Sequence, residues 1–289
     1  CAVTTSTALS SAPAVVAPTS SHHSPGSQSS SAPGFLTAVG VEILKMRRLR
    51  TPLITTLIVG TSAALCSMNL FSTSFTAFLH DPSAMPWARL LLMTCFYNAM
   101  IGPIFVSVLA SRQTDIEHTG SGWNLAATSG LTPGTLCRAK LAALSLLIVP
   151  AVTVQSLGII MLARFRGLSV ALDVGPWATY TTLLICVDLA TCAYFLWLAA
   201  VVENQLIVMS TGLLSGFIGI FTLLVPPEIV RWTPWGYYAL ITPAARSAST
   251  GSQTAVTYID VPAGWIAGFL ILTTLIFTIV THRLNRIER

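Results

Sequence analysis

An all-α membrane protein of six spans follows from three features of the sequence. Only 9% of the 289 residues are charged, 53% are hydrophobic, and the mean hydropathy is +0.74. An ordinary soluble domain carries roughly 25% charged residues, so this chain cannot cover a water-facing surface with polar groups. Its apolar residues gather into six runs, each near the roughly 20 residues needed to cross a hydrocarbon layer about 30 Å thick. Lys and Arg cluster at the ends of those runs, so the net charge of +5 and the pI near 9.1 read as a topology signal rather than a nucleic-acid surface.

Residues 1–33 are rich in Ser, Thr, Ala and Pro and hold no charged side chain. That composition buries too little to offset its ordering entropy, so a disordered tail is expected ahead of a six-span domain over residues 34–289. A lipid-modified Cys1 would put this tail outside, against the charge rule developed below. The other cysteines, Cys66, Cys95, Cys137, Cys186 and Cys192, form no C-x-x-C pair. They read as small apolar packing residues rather than zinc ligands or a disulfide framework.

From Gly34 to Arg50, GFLTAVGVEILKMRRLR places Phe35, Val39, Ile43 and Met46 at helical spacing, with Thr37, Val41, Lys45 and Arg48 on another face. This predicts an amphipathic helix on the membrane surface, bearing Glu42, Lys45, Arg47 and Arg48. The alternative is a basic flank of the first span. The spans fall at Leu53 to Phe71, Ala88 to Ala110, Leu141 to Ala163, Ala178 to Val202, Leu206 to Val225, and Gly264 to Val280.

Counting Lys and Arg near the span ends gives ten on one side and five on the other. The richer side holds Lys45, Arg112, Arg138, Lys140, Arg283 and their neighbours, so both termini are expected in the cytoplasm. Trp87, Trp177, Trp232, Trp235 and Trp265 fall at outer ends, as an aromatic belt would. Between spans 5 and 6, VPPEIVRWTPWGYYALITPAARSAS is too broken by proline to cross and too apolar for a free loop. A re-entrant segment is expected there, shielded by protein or facing a watery cavity.

Candidate chemistry is sparse. Gly212, Ser215 and Gly216 have the wrong spacing for an intramembrane serine protease, and no span has a central His. No phosphate-binding G-x-x-x-x-G-K-[ST] motif occurs, so this chain has no nucleotide site and is not itself an enzyme in this reading. Asp188 lies near mid-depth in span 4, where a charge costs about 2.5–3.5 kcal/mol, and must face the bundle interior or a cavity. It is either a pathway residue or a packing residue meeting Asn69, Tyr97, Asn98 or Gln155. The small residues Gly212, Ser215, Gly216 and Gly219 line one face of span 5, for packing within one subunit or for a dimer seam.

The longest polar segment between two spans is Arg112 to Lys140, with Asp115, Glu117 and Trp123 in its first half and Pro133 in its second. Trp123 reads as a docking aromatic or an interfacial anchor; Glu117 as a docking acid, a solvated loop acid or a helix N-terminal charge. The order of parts resembles the type-2 ABC exporter permeases, within them the bacitracin-resistance and lantibiotic-immunity branch. The resemblance rests on Glu42, Lys45, Arg47 and Arg48 before the first span, Glu117 in DIEHTGSGW, Leu131, Pro133 and Lys140 in GLTPGTLCRAK, and PPEIVRWTPW before the sixth. It covers about residues 35–289 with short, degenerate motifs.

That resemblance implies a bacterial plasma-membrane subunit that pairs with a second permease chain, identical or related, and with two separate ATPase subunits that bind ATP and Mg. No cofactor is implied in this chain. It further implies a cytoplasmic coupling helix between spans 2 and 3, with Asp115, Glu117, Trp123 and Pro133 at the ATPase contact. The exported substrate would be an amphipathic or apolar peptide or drug, as in antibiotic resistance. His118 and the Gly120-Ser121-Gly122 run depart from the longer helix of the family. The competing readings are a membrane scaffold or sensor without transport, and an ion-coupled secondary transporter using Asp188.

Overall fold

A computed structural model describes residues 34–120, 122–123, 128–247 and 255–287. The N-terminal tail expected from composition lies outside the described residues, as does the centre of the expected coupling helix. The chain begins with α1 (Phe35–Arg48) and α2 (Thr51–Met68), then a single turn α3 (Thr73–Thr76). It continues through α4 (Pro86–Thr119), α5 (Pro133–Phe165), α6 (Val174–Val201) and α7 (Gln205–Thr222). The single turns α8 (Pro227–Val230) and α9 (Tyr237–Leu240), a hairpin of β1 (Ala244–Ser247) and β2 (Ala255–Tyr258), and α10 (Ala263–Ile287) complete it.

Six of these helices, α2, α4, α5, α6, α7 and α10, are long and apolar enough to cross a membrane. The protein is thus a multi-pass helical membrane protein, as its apolar runs predict. Two boundaries differ in an instructive way. α4 continues to Thr119, more than two turns beyond Ala110, and α5 starts at Pro133, two turns ahead of Leu141. Much of the polar stretch is therefore helix that extends two spans, with Pro133 as the first residue of α5, where its missing N–H costs nothing.

The all-α expectation also meets one exception, because β1 and β2 pair antiparallel with Ala244 opposite Tyr258 and Ser247 opposite Ala255. Val256 and Ala244 pack with Ala88 on α4, so the hairpin covers one end of the bundle.

The most extensive helix contact is between α4 and α7, and glycines make it. A β-carbon on Gly216 would lie 2.2 Å from the Met100 carbonyl oxygen, and one on Gly219 would lie 2.4 Å from that of Ala99. The small-residue face of span 5 is thus filled by α4 of the same chain, which removes these residues from any dimer seam.

Cross-links fix which helix ends lie together. The Gly134 N–H, an orphan donor in the first turn of α5, donates to Asn285 Oδ1 on α10 at 2.8 Å. A ring nitrogen of His118 on α4 is 2.8 Å from the carbonyl oxygen of Ala199 on α6. The described start of the chain, the α4–α5 connection and the end of α10 therefore share one end of the bundle. At the other end, four arginines lie over aromatic rings: Arg89 over Phe78, Arg164 over Trp87, Arg166 over Phe71 and Arg231 over Trp265. Each such contact is worth about 0.5–1 kcal/mol where exposed.

The aromatic belt needs correction at two positions. Trp87 and Trp177 are buried, edge-to-face at 6.1 Å, and the Trp87 indole donates to the Val170 carbonyl at 2.9 Å. They are core residues because α4, α6 and the turn before α6 close over them. Trp232 and Trp265 remain exposed.

Candidate functional site

Two glutamates, two lysines and a glutamine, drawn from three helices, meet at the end of the bundle that carries the α4–α5 connection. On α1, residues 38, 42 and 46 form the inward stripe, so Ala38 and Met46 pack while Glu42 between them is carried inside with 0% exposure. On the extension of α4, Gln113 and Glu117 are one turn apart and face the same way. Lys140, on the extension of α5, has 0% exposure.

Lys140 Nζ donates to Glu42 Oε2 at 2.8 Å, to Glu117 Oε1 at 2.8 Å and to the Gln113 carbonyl at 2.9 Å. All three of its N–H donors are used. Lys45 Nζ donates to Glu42 Oε1 and to Glu117 Oε1, both at 2.7 Å. The Gln113 side-chain amide donates to Glu42 Oε2 at 2.7 Å. Two carboxylates against two ammonium groups leave the quartet neutral, which is what its burial requires.

Its surroundings are shaped to it. A β-carbon on Gly122 would collide with the Glu117 carboxylate, so the glycine that interrupts the expected coupling helix lets the backbone approach that acid. Arg112 donates to the carbonyl of Leu49, just past the last turn of α1, at 3.1 Å, where a cation also suits the helix dipole.

Lys45 is the quartet's outermost member. Burial alone would lower its pKa, but hydrogen bonds and charge from Glu117 and Glu42 outweigh that and hold it above the ordinary 10.5. A value raised on folding contributes stability that is complete below the unfolded pKa and is lost as pH climbs through the folded one. The gap in thermal midpoint between the native protein and Lys45→Gln is therefore expected to be constant across neutral pH and to shrink above pH 10.5. Midpoints measured in detergent across that range check this.

The residues expected at a partner contact divide into two groups. Glu42 and Glu117 are turned inward. Asp115 and Trp123 are half-buried, Pro133 is half-buried at the start of α5, and Arg47, Arg48 and Arg138 are exposed. Trp123 stands 5.9 Å from the His118 ring. The quartet's fourth member and its amide partner escaped site prediction: Lys140 figured only as a topology charge and in the resemblance, and Gln113 not at all. The available signal was numerical, since a chain with ten acids and only two lysines places both lysines and two of those acids, Glu42 and Glu117, at the ends of apolar runs.

Asp188 lies midway along α6 and is 2% exposed. The alternatives of Asn69, Tyr97, Asn98 or Gln155 as partner give way to Tyr238, whose hydroxyl donates to Asp188 Oδ1 at 2.6 Å. Tyr238 comes from the proline-broken segment, where Tyr237, Leu240 and Ile241 are also buried, and it passes over Gly102, whose β-carbon would be 2.5 Å from the tyrosine ring. Beside this pair, Gln155 donates to Ser62 Oγ at 2.9 Å and to Asn98 Oδ1 at 2.8 Å, and Asn98 donates to the Tyr180 hydroxyl at 3.1 Å. A cavity of about 20 Å³ between the two groups is lined by Ser62, Asn98, Gln155 and Asp188, room for one water.

Tyr238→Phe leaves that carboxyl without its donor. A loss of about 1–3 kcal/mol is expected, read as a lower unfolding midpoint that Asp188→Asn does not share in full. Comparison with protein-family models and with curated protein sequences finds no match.

Proposed function

We propose that this chain is the permease subunit of an ATP-driven exporter in the plasma membrane, with both termini cytoplasmic. It moves an amphipathic or apolar substrate, an antimicrobial peptide or drug, outward. ATP and Mg are bound by two separate ATPase subunits at the α4–α5 end, and a second permease chain, identical or related, completes the path. The observation that carries this reading is the buried quartet. It fastens α1, α4 and α5 into one unit at the end where the polar connection lies, so a push on that connection is passed to two spans and the surface helix together.

In this arrangement Glu117 is the fastener, and contact with the ATPase falls to Asp115, Trp123 and Arg138. A chain without a phosphate-binding motif takes its energy from outside, and a rigid element that joins two spans is a means of receiving it. The test is reconstitution of the complex in vesicles with Trp123→Ala and Arg138→Glu. Both variants are expected to insert and fold while losing ATP-dependent substrate movement. Full export and substrate-stimulated ATPase turnover in both would overturn the docking assignment, and no ATP-dependent movement in the native complex would favour a scaffold or sensor.

Asp188 supports a second reading, a carrier driven by an ion gradient, because a buried acid beside a water-sized polar cavity marks ion pathways in other membrane proteins. That reading predicts substrate movement under an imposed proton or sodium gradient with no ATPase present, abolished by Asp188→Asn.

A further inference from the structure

A cavity of about 860 Å³ runs between α6 and α10, under the turn that carries Arg231. Its volume is within the range of ligand sites, roughly 300–1,000 Å³, and its lining is elongated along α10. Along α10 it is floored by Gly264, Gly268, Leu272, Ile276 and Val280, one residue every fourth position. At 1.5 Å per residue that stripe is about 24 Å long, most of a hydrocarbon layer of about 30 Å. The facing wall is Ala190, Tyr194 and Trp197 of α6. Room is made by omission, since β-carbons on Gly264 and Gly268 would meet nothing within 4 Å.

The cavity's two ends differ. The inner end is lined by Trp197, Ile276, Phe277 and Val280. At the outer end Trp232 and Trp265 form the rim, with Arg231 lying over the Trp265 ring at 4.8 Å, while Trp235 packs edge-on against Tyr194 deeper in the cavity. The Arg231 Nε donates to the Glu228 carbonyl at 2.9 Å, which aims the rest of the guanidinium away from the backbone. Among the described residues, every ion pair belongs to the quartet at the opposite end, and the cavity lining holds no carboxylate. The side of the cavity is open, because Leu272, Ile276 and Trp265 are exposed.

We infer that this cavity binds a membrane amphiphile lengthwise, with its alkyl chain along the Gly264–Val280 stripe and an anionic headgroup on Arg231. A long, largely apolar channel suits an extended chain better than a compact ring system. The lateral opening lets the chain enter from the bilayer without crossing water. Arg231 supplies planar, multidentate recognition of a phosphate or carboxylate at the level where headgroups lie, and the indoles around it favour that interfacial depth. Binding stands apart from the export reading, which bears only on what becomes of the ligand.

The test uses the purified full chain in a nonionic detergent, titrated with a single-chain phosphatidylglycerol and with the phosphatidylcholine of the same chain, and read by native mass spectrometry. The native protein is expected to hold the anionic lipid about tenfold more tightly, the worth of one charge-assisted contact. Arg231→Gln is expected to bring the two lipids to equal affinity. Gly268→Leu and Gly264→Leu, which fill the channel from a helix face with space to spare, are expected to weaken both lipids about tenfold or more. Equal affinities in the native protein, or undiminished binding in both glycine variants, would overturn the site, as would tighter binding of a cationic amphipathic peptide than of either lipid. Loss of ATP-dependent export with lipid binding intact would count against the export reading alone.

Discussion

Lys140→Met is expected to destabilise the protein by about 3–5 kcal/mol, because it strips a fully buried cation from between two buried carboxylates. Lys140 satisfies Glu42, Glu117 and the Gln113 carbonyl at once. Without it, only the partly exposed Lys45 faces two acids, and one negative charge is left uncompensated in a site from which water is excluded. Adding Glu117→Gln restores a one-to-one balance, with Glu42 held by Lys45 and by the Gln113 amide. The double variant is therefore expected to be more stable than Lys140→Met alone, although each single change is destabilising. Denaturant or thermal unfolding of the four proteins in detergent gives the coupling energy, and simple additivity would show that the quartet is not a unit.

Gly216→Ala is expected to cost about 1–3 kcal/mol, the range for overpacking a well-filled interior. The added methyl would stand 2.2 Å from the Met100 carbonyl oxygen, an atom that moves only if α4 moves. Relief means parting α4 from α7, the largest helix contact in the bundle. The same substitution at Gly158 on α5, where a β-carbon meets nothing, is expected to stabilise by up to about 1 kcal/mol through helix propensity. Opposite shifts in unfolding midpoint from one chemical change would separate the seam from propensity, and like shifts would refute it.

What was legible in the sequence is what a one-dimensional pattern can carry. Run length places six spans, and the mid-depth position of Asp188 states that it must be enclosed. Partner identity is another matter. Glu42 and Lys140 are separated by 98 positions, and nothing in either local pattern names the other. Tyr238 similarly sits in a segment whose prolines announce irregular backbone without saying how deeply it packs. Five tryptophans are expected at the outer ends of spans, yet Trp87 and Trp177 are buried while Trp232 and Trp265 are exposed, because which way each ring faces is decided by what packs around it.

The quartet also imposes an order on assembly. Glu42, Lys45 and Glu117 leave the ribosome before Lys140, so while only the first two spans exist the site has two acids and one base, an excess of one negative charge. It becomes neutral when α5 arrives, since Lys140 opens that helix's apolar run. Pairing of α1 with α4 and α5 is thus completed by the last of the three to be synthesised. Until then Lys140 is an unpaired cation that can act in setting orientation, and afterwards it is concealed; one residue serves first as a topology signal and then as a latch.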